Sequence, residues 1–143
     1  MRAGLRVRQV ANWVNLSTPL GLLAAALGRA RVSRGEDGLL LARGYRLRVP
    51  GAPAFTVGNV VLLRIDDDVL ARRPRLLVHE SRHATQYAWC IGPVMLPLYG
   101  LAAAWSWLRC RDAATYNLFE RLAGLADGGY LPPGGGRHDQ GHV

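Results

Sequence analysis

Residues 79–83 read His79-Glu80-Ser81-Arg82-His83, and this spacing restricts the fold more than any other feature of the chain. Positions four apart lie on one face of an α-helix, so both imidazoles can reach one ion while Glu80 stands beside it. The pattern predicts a helix from Arg75 to about Trp89, with Pro74 in its first turn. It also requires the chain to return, because a catalytic zinc takes three protein ligands and keeps a fourth position open. Glu120 is the only glutamate after the motif. It falls inside a second predicted helix, on a stripe with Ala113, Tyr116 and Ala123. Asp112 and Asp127 are rival carboxylates, but both fall at predicted helix ends, where capping accounts for them. A carboxylate buried without a partner is costly, and a cation relieves that cost. The residues thus point to His79, His83 and Glu120 around one zinc, with Glu80 placed to take a proton from an activated water.

The rest of the chain must supply a scaffold for these helices. An apolar stretch runs from Val10 to Leu27 behind Arg2, Arg6 and Arg8. Asn12, Asn15, Ser17, Thr18 and Pro19 interrupt it, which disfavours an export signal and favours a packing helix within residues 1–30. Ser17 or Thr18 would cap that helix, Pro19 would occupy its first turn, and Gly28 would end it. Residues 31–37 are polar and turn-like. Alternation over Leu39 to Val49, clearest from Tyr45 to Val49, predicts a strand. Pro50-Gly51-Ala52-Pro53 would reverse the chain into a second strand, Phe55 to Ile65, completing a β-hairpin over 39–65. Asp66, Asp67 and Asp68 lack the spacing of a calcium loop and read as a solvated turn or helix cap.

Residues 91–108 carry no charge. Pro93 and Pro97 split them, so the expectation is a buried or membrane-surface helix from Pro97 to Leu108 rather than a span. Asp112 would cap a last helix running to about Ala126 and stopping at Gly128-Gly129. Residues 131–143 read as a flexible Gly-rich tail, where His138 and His142 are a weak, adventitious metal pair. The expected whole is one α+β domain over residues 1–130, with the metal-binding helices within 75–126; 143 residues leave no room for a second core.

Composition narrows the partners. All 18 basic residues are arginine and the formal charge is +8, which reads as the codon bias of a GC-rich bacterial genome. The arginines are scattered, with no long run and no recognisable nucleic-acid module, so nucleic acid is not expected as a partner. Cys90 and Cys110 share no metal-ligand spacing and read as reduced thiols.

The residues Val78-His79-Glu80-Ser81-Arg82-His83-Ala84-Thr85-Gln86-Tyr87, Gly92-Pro93, Pro97-Leu98-Tyr99 and Asn117-Leu118-Phe119-Glu120 resemble an uncharacterised bacterial family with an HExxHxxQ core. More broadly they resemble the gluzincin metallopeptidases. The likeness covers roughly residues 55–130. It implies a minimal zincin-like pair of helices beside a strand, zinc on His79, His83 and Glu120, and general-base chemistry on Glu80. Gly124 stands where the thermolysin-like members carry an Asp that steadies one histidine.

Gln86, one turn past His83, would support a ligand or touch substrate. Tyr116 is a candidate donor to transition-state charge, with Tyr87, Tyr99 and Tyr130 as further options. The expected activity is zinc-dependent hydrolysis of a peptide or protein substrate, held by strand addition along Phe55 to Ile65. The alternative is a non-catalytic, zinc-stabilised or membrane-peripheral binding protein. Arg72, Arg73, Arg75 and Arg82 around the motif disfavour an intramembrane protease. The expected location is the cytoplasm or the membrane periphery of a bacterium.

Overall fold

The computed structural model describes residues 2–130; His138, His142 and the Gly-rich segment lie outside the described residues. The chain is a mixed α+β structure. Helices α1 (Ala3–Val14) and α2 (Ser17–Leu27) precede strands β1 (Arg31–Arg34) and β2 (Leu40–Arg43). Strands β3 (Ala54–Val57) and β4 (Val60–Leu63) follow, then helices α3 (Asp67–Ala71), α4 (Pro74–Trp89), α5 (Met95–Cys110) and α6 (Leu118–Ala123).

The four strands form one sheet in the order β1-β2-β4-β3. Strand β4 is its centre: Val60, Val61, Leu62 and Leu63 are all fully buried. An uninterrupted apolar run is what a strand covered on both faces demands. Val60 and Leu62 pack into one cluster with Ala25 of α2, whereas Val61 and Leu63 join Leu76 and Ala84 of α4. The two helices thus cover opposite faces of the sheet.

The expected hairpin is corrected in three places. The stretch from Phe55 to Ile65 is two antiparallel strands, with Val57 opposite Val60 across a Gly58-Asn59 turn. Gly58 adopts φ +65°, which suits the first central position of a two-residue hairpin turn. The alternating Tyr45–Val49 segment is not a strand. Tyr45 is buried and its hydroxyl donates to the Val49 carbonyl (3.1 Å), curling the chain. Because β2 lies parallel to β4, residues 44–53 must cross over before β3 can pair, and a tight reversal cannot do this. Finally, the turn-like residues 31–34 form the edge strand β1, exposed throughout and held by backbone pairing to β2.

The N-terminal stretch is likewise two helices rather than one, bent by 70°. Leu16, at φ 69°, precedes α2, so neither Ser17 nor Thr18 occupies the cap position; Gly28 does end the helix. Of the polar residues that interrupt the apolar stretch, Asn12, Ser17 and Thr18 are buried and Asn15 is half-buried, and each makes side-chain hydrogen bonds. Asn12 Nδ2 donates to Asn59 Oδ1 and to the Ala84 carbonyl, both at 2.8 Å. Asn15 Nδ2 donates to the Tyr87 carbonyl at 3.2 Å, and Arg8 donates to Ser81 Oγ at 2.8 Å. Helix α1 is therefore fastened along α4 by hydrogen bonds at successive turns.

Helix α5 begins at Met95, and much of it is exposed rather than buried. No single helix among the described residues is long and apolar enough to cross a membrane. The last helix is shorter than expected: Asp112 Oδ1 accepts from the Ala114 and Thr115 amides to close a turn, and α6 starts later, capped by Asn117.

Candidate metal centre

Pro74 opens α4 at its first turn. From there the helix presents His79, Glu80 and His83 as buried side chains. Asn117 Oδ1 accepts from the Phe119 amide (3.0 Å), which fixes the start of α6 and points Glu120 inward. The three metal candidates meet. His79 Nε2 lies 3.0 Å from Glu120 Oε2 and 3.0 Å from His83 Nε2, and His83 Nε2 lies 3.4 Å from Glu120 Oε2. Ligand atoms bound about 2.0–2.2 Å from a tetrahedral zinc sit about 3.3 Å from one another, so the spacing fits such an ion.

The outer nitrogens settle which way the rings face. His79 Nδ1 lies 2.9 Å from the Gly124 carbonyl oxygen, which can only accept, so Nδ1 carries the proton. Gln86 Nε2 donates to the Phe119 carbonyl (2.8 Å), which turns Gln86 Oε1 toward His83 Nδ1 at 2.8 Å; that nitrogen is also protonated. With both Nδ1 atoms donating, neutral rings aim two Nε2 lone pairs at one point. Glu120 Oε2 faces the same point, buried and without a hydrogen-bond partner. Three converging lone pairs repel unless a cation or an extra proton sits among them. This donor set fits a divalent metal.

The metal-free electrostatics agree. For Glu120, burial favours the neutral acid, but the adjoining His79 and His83 rings and the Tyr99 hydroxyl outweigh it and hold the carboxyl well below the usual range. For His83, burial lowers the pKa, yet the Glu120 carboxylate outweighs it and the imidazole titrates above its ordinary value. Burial pushes the Glu80 carboxyl up, against the pull of His83 and of the Thr56 hydroxyl, which donates to Glu80 Oε2 at 2.6 Å.

A cavity of about 320 Å³ opens onto His79, Glu80, His83 and Glu120. Its walls come from β3 with the preceding Pro50–Pro53 segment, and from Tyr87, Leu96, Tyr99 and Tyr130. Strand β3 is the sheet edge at this wall. Tyr99 donates to Glu120 Oε1, and burial raises the Tyr130 hydroxyl to about 12.

Two sequence candidates separate here. Gln86 supports His83, as described. Tyr116 does not share a helical stripe with Glu120, because it lies in the turn before α6. Its ring stacks under Arg109 (5.1 Å) and it takes no part in the cavity. The rival carboxylates are also accounted for. Asp112 closes its turn, and Asp127 pairs with Arg82 (2.8 Å) and Arg75 (3.3 Å), which hold its carboxyl below the usual range, Arg82 foremost.

Sequence reasoning missed the backbone's share. Gly124 offers its carbonyl to His79 in place of a side-chain carboxylate, and Arg82 Nη1, from inside the motif, donates to the neighbouring Ala123 carbonyl (2.6 Å). Gly128 lies so close to the His79 ring that a Cβ there would stand 2.6 Å from Cε1. Residue identities do not display a carbonyl; the nearest signal was the Gly124 and Gly128 pair, one turn apart. The chain matches no family profile, no curated protein and no solved structure.

Proposed function

We propose that this chain is a zinc metallopeptidase of minimal zincin-like fold, hydrolysing peptide bonds with Glu80 as general base. The observation that carries the reading is the convergence of His79 Nε2, His83 Nε2 and the unpartnered Glu120 Oε2, with Glu80 on the same cavity wall. Bound there, zinc would supply Lewis acidity, polarising a carbonyl and making a water acidic near neutral pH. Glu80 accepts the proton of the attacking water and passes it to the leaving amine. Thr56 anchors Glu80 Oε2, which leaves Oε1 as the oxygen that handles the proton. The β3 edge offers unpaired backbone groups to an extended substrate beside the metal. Tyr130, at the cavity wall, has a hydroxyl available to developing negative charge, whereas Tyr99 spends its one proton on Glu120 Oε1. Gln86 and the Gly124 carbonyl hold the two rings in their metal-binding tautomers.

Metal analysis with a peptide-hydrolysis assay tests this. One zinc per chain is expected, lost in Glu120→Ala and in His79→Ala. Glu80→Gln should retain the metal while hydrolysis falls about 10²–10⁴-fold. Zinc retained in Glu120→Ala would remove that residue from the site. A zinc-loaded protein that cleaves nothing from a broad peptide library would leave the non-catalytic, zinc-stabilised reading.

A further inference from the structure

Helix α5 is apolar on every face, yet only Met95 and Ser106 are buried along its length. Ile91, Val94, Leu98, Leu101, Trp105 and Leu108 recur at spacings of three and four and are all exposed; Leu101 is 70% and Leu108 72% accessible. Leu98, Leu101, Trp105 and Leu108 form one stripe on the helix, and Ile91 and Val94 precede it. Leu96 and Trp107, also exposed, lie off that stripe. A helix apolar all round requires a surrounding apolar medium.

A second copy of the chain would cover a single seam, and soluble helix seams are flanked by charged residues. None stands between 91 and 108. The segment after residue 130, Leu-Pro-Pro-Gly-Gly-Gly-Arg-His-Asp-Gln-Gly-His-Val, has too few large apolar residues to cover the stripe. The end of α5 carries the pattern of a lipid–water boundary. Arg109 stacks over Trp105 (5.5 Å) and Arg111 over Trp107 (4.3 Å), placing two indoles and two cations at one level. The net charge of +8 complements an anionic surface.

We infer that α5 is a membrane-docking surface that inserts its Leu98–Leu101–Leu108 stripe into a bilayer containing anionic lipid. This stands whether or not the cavity hydrolyses peptides. Leu96 belongs both to this helix and to the cavity wall, so docking would bring the cavity to the lipid surface.

The test is flotation of the full chain with vesicles of phosphatidylcholine mixed with phosphatidylglycerol, beside phosphatidylcholine alone. The mixed vesicles should carry the protein, and a high-salt wash should weaken but not abolish binding. Leu101→Ser with Leu108→Ser leaves the charge unchanged and alters two exposed positions. It should lower partitioning at least about tenfold, with circular dichroism and bound metal as for the unmodified chain. The inference is overturned if the unmodified protein stays with the aqueous fraction, or if the double variant floats equally well. It is also overturned if sedimentation shows a dimer that the double variant converts to monomer, which would assign the stripe to a second copy.

Discussion

Replacing Gly128 by alanine probes the metal centre through its backbone. A Cβ at this position would lie 2.6 Å from His79 Cε1 and 2.9 Å from both ring nitrogens, whereas ordinary contact begins at 3.4 Å. About 0.8 Å of separation must therefore be found. The ring has little freedom to supply it. His79 is 2% exposed, its Nδ1 is held by Gly124, and its Nε2 faces Glu120. The loop is restrained as well, by the Gly128 amide on the Gly124 carbonyl (3.1 Å) and by Asp127 on Arg82. Overpacking of this kind costs about 1–3 kcal/mol in the metal-free protein. A displacement of that size cannot be absorbed by a zinc–nitrogen bond of about 2.0–2.1 Å, so zinc affinity should fall about 10–100-fold, as for a lost supporting contact. Competition with a chromogenic chelator measures the affinity, and thermal unfolding in excess chelator measures the stability. Gly129→Ala is the control. It sits at φ +85° with open space around it, so backbone strain of about 1–2 kcal/mol is expected without change in affinity. Unaltered zinc affinity in Gly128→Ala, or an equal loss in Gly129→Ala, would refute the reasoning.

Gln86→Ala should weaken zinc about 10–100-fold, by freeing the His83 ring to turn, while leaving the helical circular dichroism intact; chelator competition reads it. Asn12→Ala leaves Asn59 Oδ1 and the Ala84 carbonyl without their donor, and denaturant unfolding should show a loss of about 2–4 kcal/mol. The metal-free protein should be most stable in a bounded pH window. The raised His83 contributes stability that is full below about 6.5 and is lost as pH climbs through its folded value, and the raised Glu80 acts in the same direction. The lowered Glu120 contributes above about 4.3 and loses that contribution as pH falls through its folded value. Zinc requires neutral rings, so its added stability should vanish on acidification. Melting temperatures with chelator and with zinc across pH check both signs; a metal-free melting temperature that climbs steadily above neutrality contradicts the His83 assignment.

What was legible in the sequence was what depends on local period. The 79–83 spacing, Pro74 and the late Glu120 located α4 and the inward carboxylate, because a helix converts spacing directly into facing. The strands were harder to read. Residues 55–65 look like one apolar run because β4 is buried on both faces, and only Gly58-Asn59 marks the reversal within it. Tyr45–Val49 alternates as a strand would, but the parallel pairing of β2 with β4 forces a crossover there, and pairing partners are not a local property. Tyr116 was displaced from Glu120's stripe because Asp112 closes a turn instead of starting the final helix. The carbonyl of Gly124 could not be anticipated from any side chain.

The three contacts from α1 to α4 fall on Ser81, Ala84 and Tyr87, the same stretch of helix that carries His83 and Gln86. The candidate ligands all lie between residues 79 and 120, but the mechanical unit begins earlier. A fragment starting at the sheet would keep every candidate ligand and yet lose the brace that sets the pitch and position of the helix bearing two of them. The smallest piece able to grip an ion should therefore begin at Ala3.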